Sequence, residues 1–243
     1  MKAISEDPIG KETLESFSKT KRFNKWQYGT ISTFFYGNIL EIGSGIGNIS
    51  SLLLANNSTV TLSDLRKSYC DILHEKFKTA KSFNNIIQID LSEPDFENKY
   101  SQILGSFDTI VALNVIEHIK NDGEAIENCK RLLRTGGQII IQVPAFQLLY
   151  NSLDKGLGHY KRYTRKTLNA LVSKYELKVQ ESRYFNFIGI PGWWLSGSLL
   201  KKKIIPRKQA ILFDRLVPIF RIADTIVINR MGLSVITVAK KQT

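Results

Sequence analysis

The sequence predicts a doubly wound α/β fold on a mostly parallel sheet, from three observations. Short apolar runs at residues 39–42, 59–62, 86–89, 109–113 and 138–143 alternate with stretches of helical periodicity. The first run leads through Gly43, Gly45 and Gly47 into a helical pattern, the nucleotide-facing corner of such sheets. Acids (Glu41, Asp64, Asp90) stand at or just beyond the ends of the first three runs, on the edge where ligands bind.

The 243 residues suffice for one large domain with a full core. A hydrophobic share of 43% and a charged share of 23% are ordinary for a globular chain. The net charge of +12 is not, and it points to nucleic acid, a lipid surface or an acidic substrate, with a lysine-rich solubilising surface as the competing account. Cys70 and Cys129 lie in helical stretches without metal-type spacing, so no metal is expected and both read as buried thiols of a reducing compartment. Residues 1–25 hold no apolar leader. The longest charge-free stretch, residues 184–200, is broken by Gly189, Pro191, Gly192 and Gly197 and falls short of the roughly 20 apolar residues a spanning helix needs. A cytoplasmic chain is expected.

Taken in order, residues 1–36 form an N-terminal helical arm, polar at first, whose Phe23, Trp26, Ile31, Phe34 and Phe35 predict an amphipathic helix beside the first strand. In residues 38–50 the glycines alternate, E-x-G-x-G-x-G, and Asn48 stands where a dinucleotide fingerprint needs its third glycine, which counts against a nicotinamide oxidoreductase. Glu41 suits a ligand with positive charge better than a pyrophosphate. Asp64 closes the second strand about 20 residues beyond the first glycine, where a carboxylate holds a ribose diol; capping a helix near Arg66 is the rival role. Asp90 and Leu91 end the third strand. Residues 107–118 open a fourth strand and turn at Asn114 and Val115 into a helix expected to run to about Leu133 and stop at Gly136-Gly137. The fifth strand then ends at Pro144.

The E-x-G-x-G-x-G turn, F-D-x-I-x-x-x-x-V-I-E-H-I and L-L-R-x-G-G-x-x-I-I-x-V-P resemble, in order, the motifs of class I S-adenosylmethionine (SAM) methyltransferases over residues 38–144. That resemblance implies a Rossmann-like seven-stranded sheet with its last strand antiparallel, and SAM as cofactor. It places Glu41, Gly43, Ser44, Gly45, Gly47, Asp64, Leu65, Asp90, Leu91, Asn114 and Val115 around the cofactor, with Tyr28 or Asn24 reaching its methionine end. Asp90 would accept from the adenine amine, while Glu117 and His118 would shape the turn. The D/N-P-P-Y/F/W tetrad of adenine and amide methylases is missing, since residues 113–116 are Leu-Asn-Val-Ile, so specific DNA recognition is not expected.

The acceptor side falls later, in residues 145–232, ahead of a closing strand in 233–243. His159, Arg162 and Tyr163, in a G-H-x-x-R-Y-T block that many small-molecule and carboxylate-directed members of this superfamily resemble, are the catalytic candidates. A neutral imidazole can take a hydroxyl proton, and an arginine fork can seat a carboxylate; a basic loop tying down its own backbone is the alternative. An insertion over 186–232 carries Trp193-Trp194, Lys201-Lys202-Lys203, Arg207-Lys208 and an amphipathic helix, fit for an anionic membrane, a lid or plain packing. The expected activity is O-methylation of a small-molecule, peptide-carboxylate or lipid-linked acceptor. A nucleotide-binding scaffold docking on membrane or RNA is the alternative, and N-methyl transfer the weaker one.

Overall fold

The computed structural model describes residues 7–227 and 230–242. Its centre is a seven-stranded sheet: β1 (Asn38–Ile42), β2 (Thr59–Asp64), β3 (Phe83–Gln88), β4 (Phe107–Leu113), β5 (Leu133–Pro144), β6 (Leu177–Phe185) and β7 (Ser234–Lys241). The spatial order is β3-β2-β1-β4-β5-β7-β6, with β7 antiparallel to both neighbours and the other pairings parallel. This is the Rossmann-like class I methyltransferase topology, as expected.

Central strands are apolar on both faces because helices cover both. Leu40, Ile110 and Ile139 share one row and pack with α6 (Asp122–Leu132) and α8 (Arg165–Lys174). Ile39, Val111 and Ile140 point the other way, into a core completed by α2 (Lys21–Ile31), α3 (Ser50–Asn56), α4 (Lys67–Phe77) and α10 (Arg207–Ile226). Shorter helices are α1 (Pro8–Phe17), α5 (Phe96–Lys99), α7 (Ser152–Leu157) and α9 (Gly189–Trp193), the last continuing as a wider turn over Trp194–Leu199.

The helical arm holds α1 as well as α2, α1 being capped by the Asp7 side chain accepting from Gly10 N. Two expectations are corrected. The long helix after β4 is two pieces. Asn114 turns at a left-handed φ of 55°, a single tight turn covers Ile116–His118, and α6 restarts where the Asn121 side chain accepts from Glu124 N. Gly136-Gly137 does not stop that helix but lies inside β5, whose pairing with β4 shifts between Phe107 and Thr109. A stretch rich in cap and glycine signals reads as one helix only if its Asn-Asp-Gly start at 121–123 is overlooked.

Candidate active site

The turn after β1 is held by hydrogen bonds that its own residues supply. Gly43, Gly45 and Gly47 take φ of 71°, 56° and 80°. A Cβ on Gly43 would meet Val115 Cγ2 at 2.5 Å, so the β4 turn packs against bare backbone here. Ser44 N donates to Ser63 O, which fastens the turn to β2. Asp64 accepts from Gly45 N at 2.9 Å through one oxygen and from Arg66 N at 2.9 Å through the other. The carboxylate therefore joins the glycine turn to the loop after β2, and its capping role is to that loop, since α4 starts at Lys67 with no side-chain cap.

Glu41 is buried, and its carboxylate accepts from the Ser50 hydroxyl. Burial pushes this carboxyl up to about 7, against the opposing hydrogen bonds from Ser50 and Ser44. Burial also raises Asp64, offset by the backbone amides of Arg66 and Gly45. Two buried acids at one sheet edge make a site of negative character that a cationic ligand relieves.

Leu65, Asp90, Leu91 and Asn114 fall on the same carboxyl edge. Leu65 O accepts from Gln88 Nε2, Asp90 N donates to the Tyr100 hydroxyl, Leu91 is buried in the core and Asn114 N donates to Gln142 O. Tyr28 and Asn24 are not brought there. The Tyr28 hydroxyl accepts from Asn57, just ahead of β2, and its ring packs on Phe35, just ahead of β1, so it stands at the opposite edge. Asn24 donates to Phe17 O. Instead it is α1 that covers the glycine turn: Leu14 lies 2.9 Å from where a Gly45 Cβ would stand, and Asn48 donates to Leu14 O.

The segment after β5 returns to this corner through a buried ion-pair network. Asp154, at the start of α7, accepts from His159 Nδ1 at 2.8 Å and from Arg162 Nε at 2.8 Å. Burial pushes Asp154 up, but those partners outweigh it and hold the carboxyl below its ordinary value. His159 Nε2 then faces Glu117 Oε1 at 4.0 Å, and the His118 ring meets the His159 ring edge-on with centroids 4.7 Å apart.

Residues 40–139 match a family model described as a methyltransferase domain. Over that stretch, from β1 into β5, the chain is similar to class I SAM-dependent methyltransferases. It is 25% identical over 158 residues to a ubiquinone biosynthesis O-methyltransferase of Xanthomonas oryzae pv. oryzae, which covers 59% of this chain. The chain spans 63% of the length of that curated relative. A SAM-dependent methyltransferase of Archaeoglobus fulgidus shares the fold with a TM-score of 0.59 at 17% identity, over 91% of this chain and 94% of that one. A phosphoethanolamine N-methyltransferase of Haemonchus contortus, solved with SAM, has a TM-score of 0.56 at 16% identity over 89% of this chain and 52% of its own.

Two of the three catalytic candidates have other work. Arg162 is buried, its Nε on Asp154, its Nη1 on Ala145 O and its guanidinium 4.8 Å from the Trp193 ring centroid. It is occupied as a bracket rather than free to fork an acceptor carboxylate. The buried Tyr163 hydroxyl donates to Asp122 at the start of α6, and burial with Asp122 raises its pKa. Only His159 keeps a ring nitrogen facing the corner. Asp154 and Glu117 were not candidates for this chemistry, and the signal for Asp154 was an acid five residues ahead of G-H in a short capped helix.

Proposed function

We propose that the protein transfers the SAM methyl group to an oxygen of a small acceptor delivered from a lipid surface. The observation that carries this is the corner where the glycine turn, buried Glu41 and Asp64 meet the segment bearing Asp154 and His159. The residues present fit the cofactor. The left-handed turn at Gly43, Gly45 and Gly47 brings backbone to the sheet edge, Asp64 suits a ribose diol, and Asp90 with Leu91 suits adenine. Buried acid favours the cationic methionine end. Bound there, SAM supplies a methyl group on a positively charged sulfur, open to attack by an oxygen lone pair. The chain's own contribution is alignment of donor and acceptor, with the His159 imidazole fixed by Asp154 on the acceptor side. The printed activity of the Xanthomonas relative, O-methylation in ubiquinone biosynthesis, supports an oxygen acceptor.

The lipid surface rests on α10. Leu212, Leu216, Ile219, Ile222 and Ile226 form one exposed stripe along it. Arg207, Lys208, Arg215 and Arg221 are exposed beside the stripe, whereas the helix's two acids are buried, Asp214 on Phe23 N and Asp224 on Asn186 N and Phe187 N. A surface of isoleucine, leucine and cations without exposed acids suits an anionic bilayer. A groove of about 580 Å³ between α2, β6 and α10, lined by Lys25, Arg183 and Arg221 with Trp26, adds cations beside it. Among the described residues no helix is long and apolar enough to cross a membrane.

Calorimetry with SAM and its demethylated product tests the cofactor half, and binding of neither overturns the proposal. Labelled SAM given to a lipid extract, with mass identification of what gains the methyl, tests the acceptor half. Label on an ether or ester oxygen of a lipid-soluble compound is expected. Label on nitrogen alone would favour the N-methyl reading.

A further inference from the structure

We propose that Glu117, His118 and His159 form a binding site for a divalent transition-metal ion. One ligand atom from each lies within 4.8 Å of the other two. Tetrahedral zinc holds nitrogen and oxygen ligands at about 2.0–2.2 Å, which sets donors roughly 3.4 Å apart, so side-chain shifts of about 1 Å close the set. His118 is the exposed member of the three.

Glu117 supplies the independent observation. Its side chain is fully buried, and neither carboxylate oxygen has a hydrogen-bond partner. Buried carboxylates without partners are costly, and most are paired or on a metal. His159 Nε2 faces one of these oxygens at 4.0 Å, too far for a hydrogen bond and suited to an ion between.

The surroundings of His159 follow the same logic. A metal-bound histidine usually gives its second ring nitrogen to a carboxylate, which fixes tautomer and orientation. Nδ1 of His159 is on Asp154 at 2.8 Å, and Asp154 is steadied in turn by Arg162 Nε at 2.8 Å. That assigns the buried network a purpose: Asp154 is a positioning residue that aims Nε2 at the cluster. Two histidines and one carboxylate suit Zn²⁺, Fe²⁺ or Mn²⁺ and leave ion positions that the protein does not fill.

The cluster also adjoins the cofactor corner. Glu117 and His118 follow Val115, whose side chain packs on Gly43. Resting on the methyl-transfer proposal above, the acceptor class is then a hydroxyl compound whose oxygen binds the ion. The ion lowers the hydroxyl pKa, the O–H proton leaves to solvent, and the oxygen keeps its pair.

The test is titration of Zn²⁺, and separately Mn²⁺, into the chelator-stripped full chain, followed by calorimetry and elemental analysis. Saturable binding of a single ion per chain is expected, abolished in Glu117→Gln and His118→Ala. Asp154→Asn is expected to weaken it roughly 10- to 100-fold. His118→Ala alters an edge residue, so it decides the matter if Glu117→Gln does not fold. No saturable binding of either ion, or binding unchanged in His118→Ala, overturns the site. Calorimetry of the demethylated cofactor on the same samples separates the two readings. Its failure alone sinks methyl transfer, whereas metal loss with cofactor binding intact sinks only the ion.

Discussion

At the residue scale, Glu41 converts burial into a pH dependence. Its carboxyl is pushed from an ordinary 4.5 up to about 7 in the folded chain. Between those values the folded state holds a proton that the unfolded state has lost. Stability therefore falls as pH rises through this window, by about 3 kcal/mol in all. Glu41→Gln should flatten that slope, so that thermal unfolding of the ligand-free variant changes less than the parent's from about pH 5 to pH 8. If Glu41 lies beside the cofactor's cation as proposed, the substitution should also weaken SAM binding. An unaltered slope would mean that other groups carry the dependence.

The same scale shows where sequence was enough and where it was not. Glu41, Asp64 and the glycines are neighbours in sequence or one strand apart, so their convergence follows from strand order alone. Arg162 and Tyr163 look like chemistry in a string of polar letters. Their burial against Asp154 and Asp122 is decided by packing between distant elements, which spacing does not encode. Tyr28 misleads similarly, since a helix can present its aromatic ring at either edge of a sheet.

At the element scale, the departure from expectation is that α1, and not the segment bearing Tyr28, covers the glycine turn. The strand–helix alternation of residues 38–144 was legible because period and caps agree along it. α1 is amphipathic like its neighbours, but which element it covers is fixed by tertiary contacts that periodicity does not encode. Asn48 Nδ2 donates to Leu14 O at 2.9 Å, and Arg66 pairs with Asp7 at 3.3 Å. These contacts pin α1 over the glycine turn, so ligand exchange requires it to lift. Asn48→Ala removes one net hydrogen bond, of about 1 kcal/mol, and should speed release of the demethylated cofactor roughly 5-fold. Stopped-flow displacement checks this, and an unchanged release rate would show that α1 does not gate the site.

At the scale of the whole molecule, charge is divided rather than spread. The net +12 contrasts with the acids gathered at the carboxyl edge of the sheet, while α10 presents cations and aliphatic side chains outward. Flotation with vesicles should show binding to anionic but not to neutral bilayers, weakening as salt rises. Replacing Ile219 and Ile222 together by Asp should cost binding at least 10-fold, since each buried isoleucine is worth about 1.5–3 kcal/mol. Equal binding by the double variant would assign the interaction to the lysines alone.

The position of β7 carries one more consequence, for assembly of the chain. β7 lies between β5 and β6 although it is made after both, and Leu233 O receives Ala145 N just where the acceptor segment departs. The first five strands can pair as they emerge during synthesis, whereas β5 keeps an open edge until residues 234–241 slot in. A nascent chain could thus complete its glycine turn while the ground beneath Asp154 and His159 is still unsupported. The half that carries the glycine turn matures first, and support for the segment bearing Asp154 and His159 arrives with the closing strand.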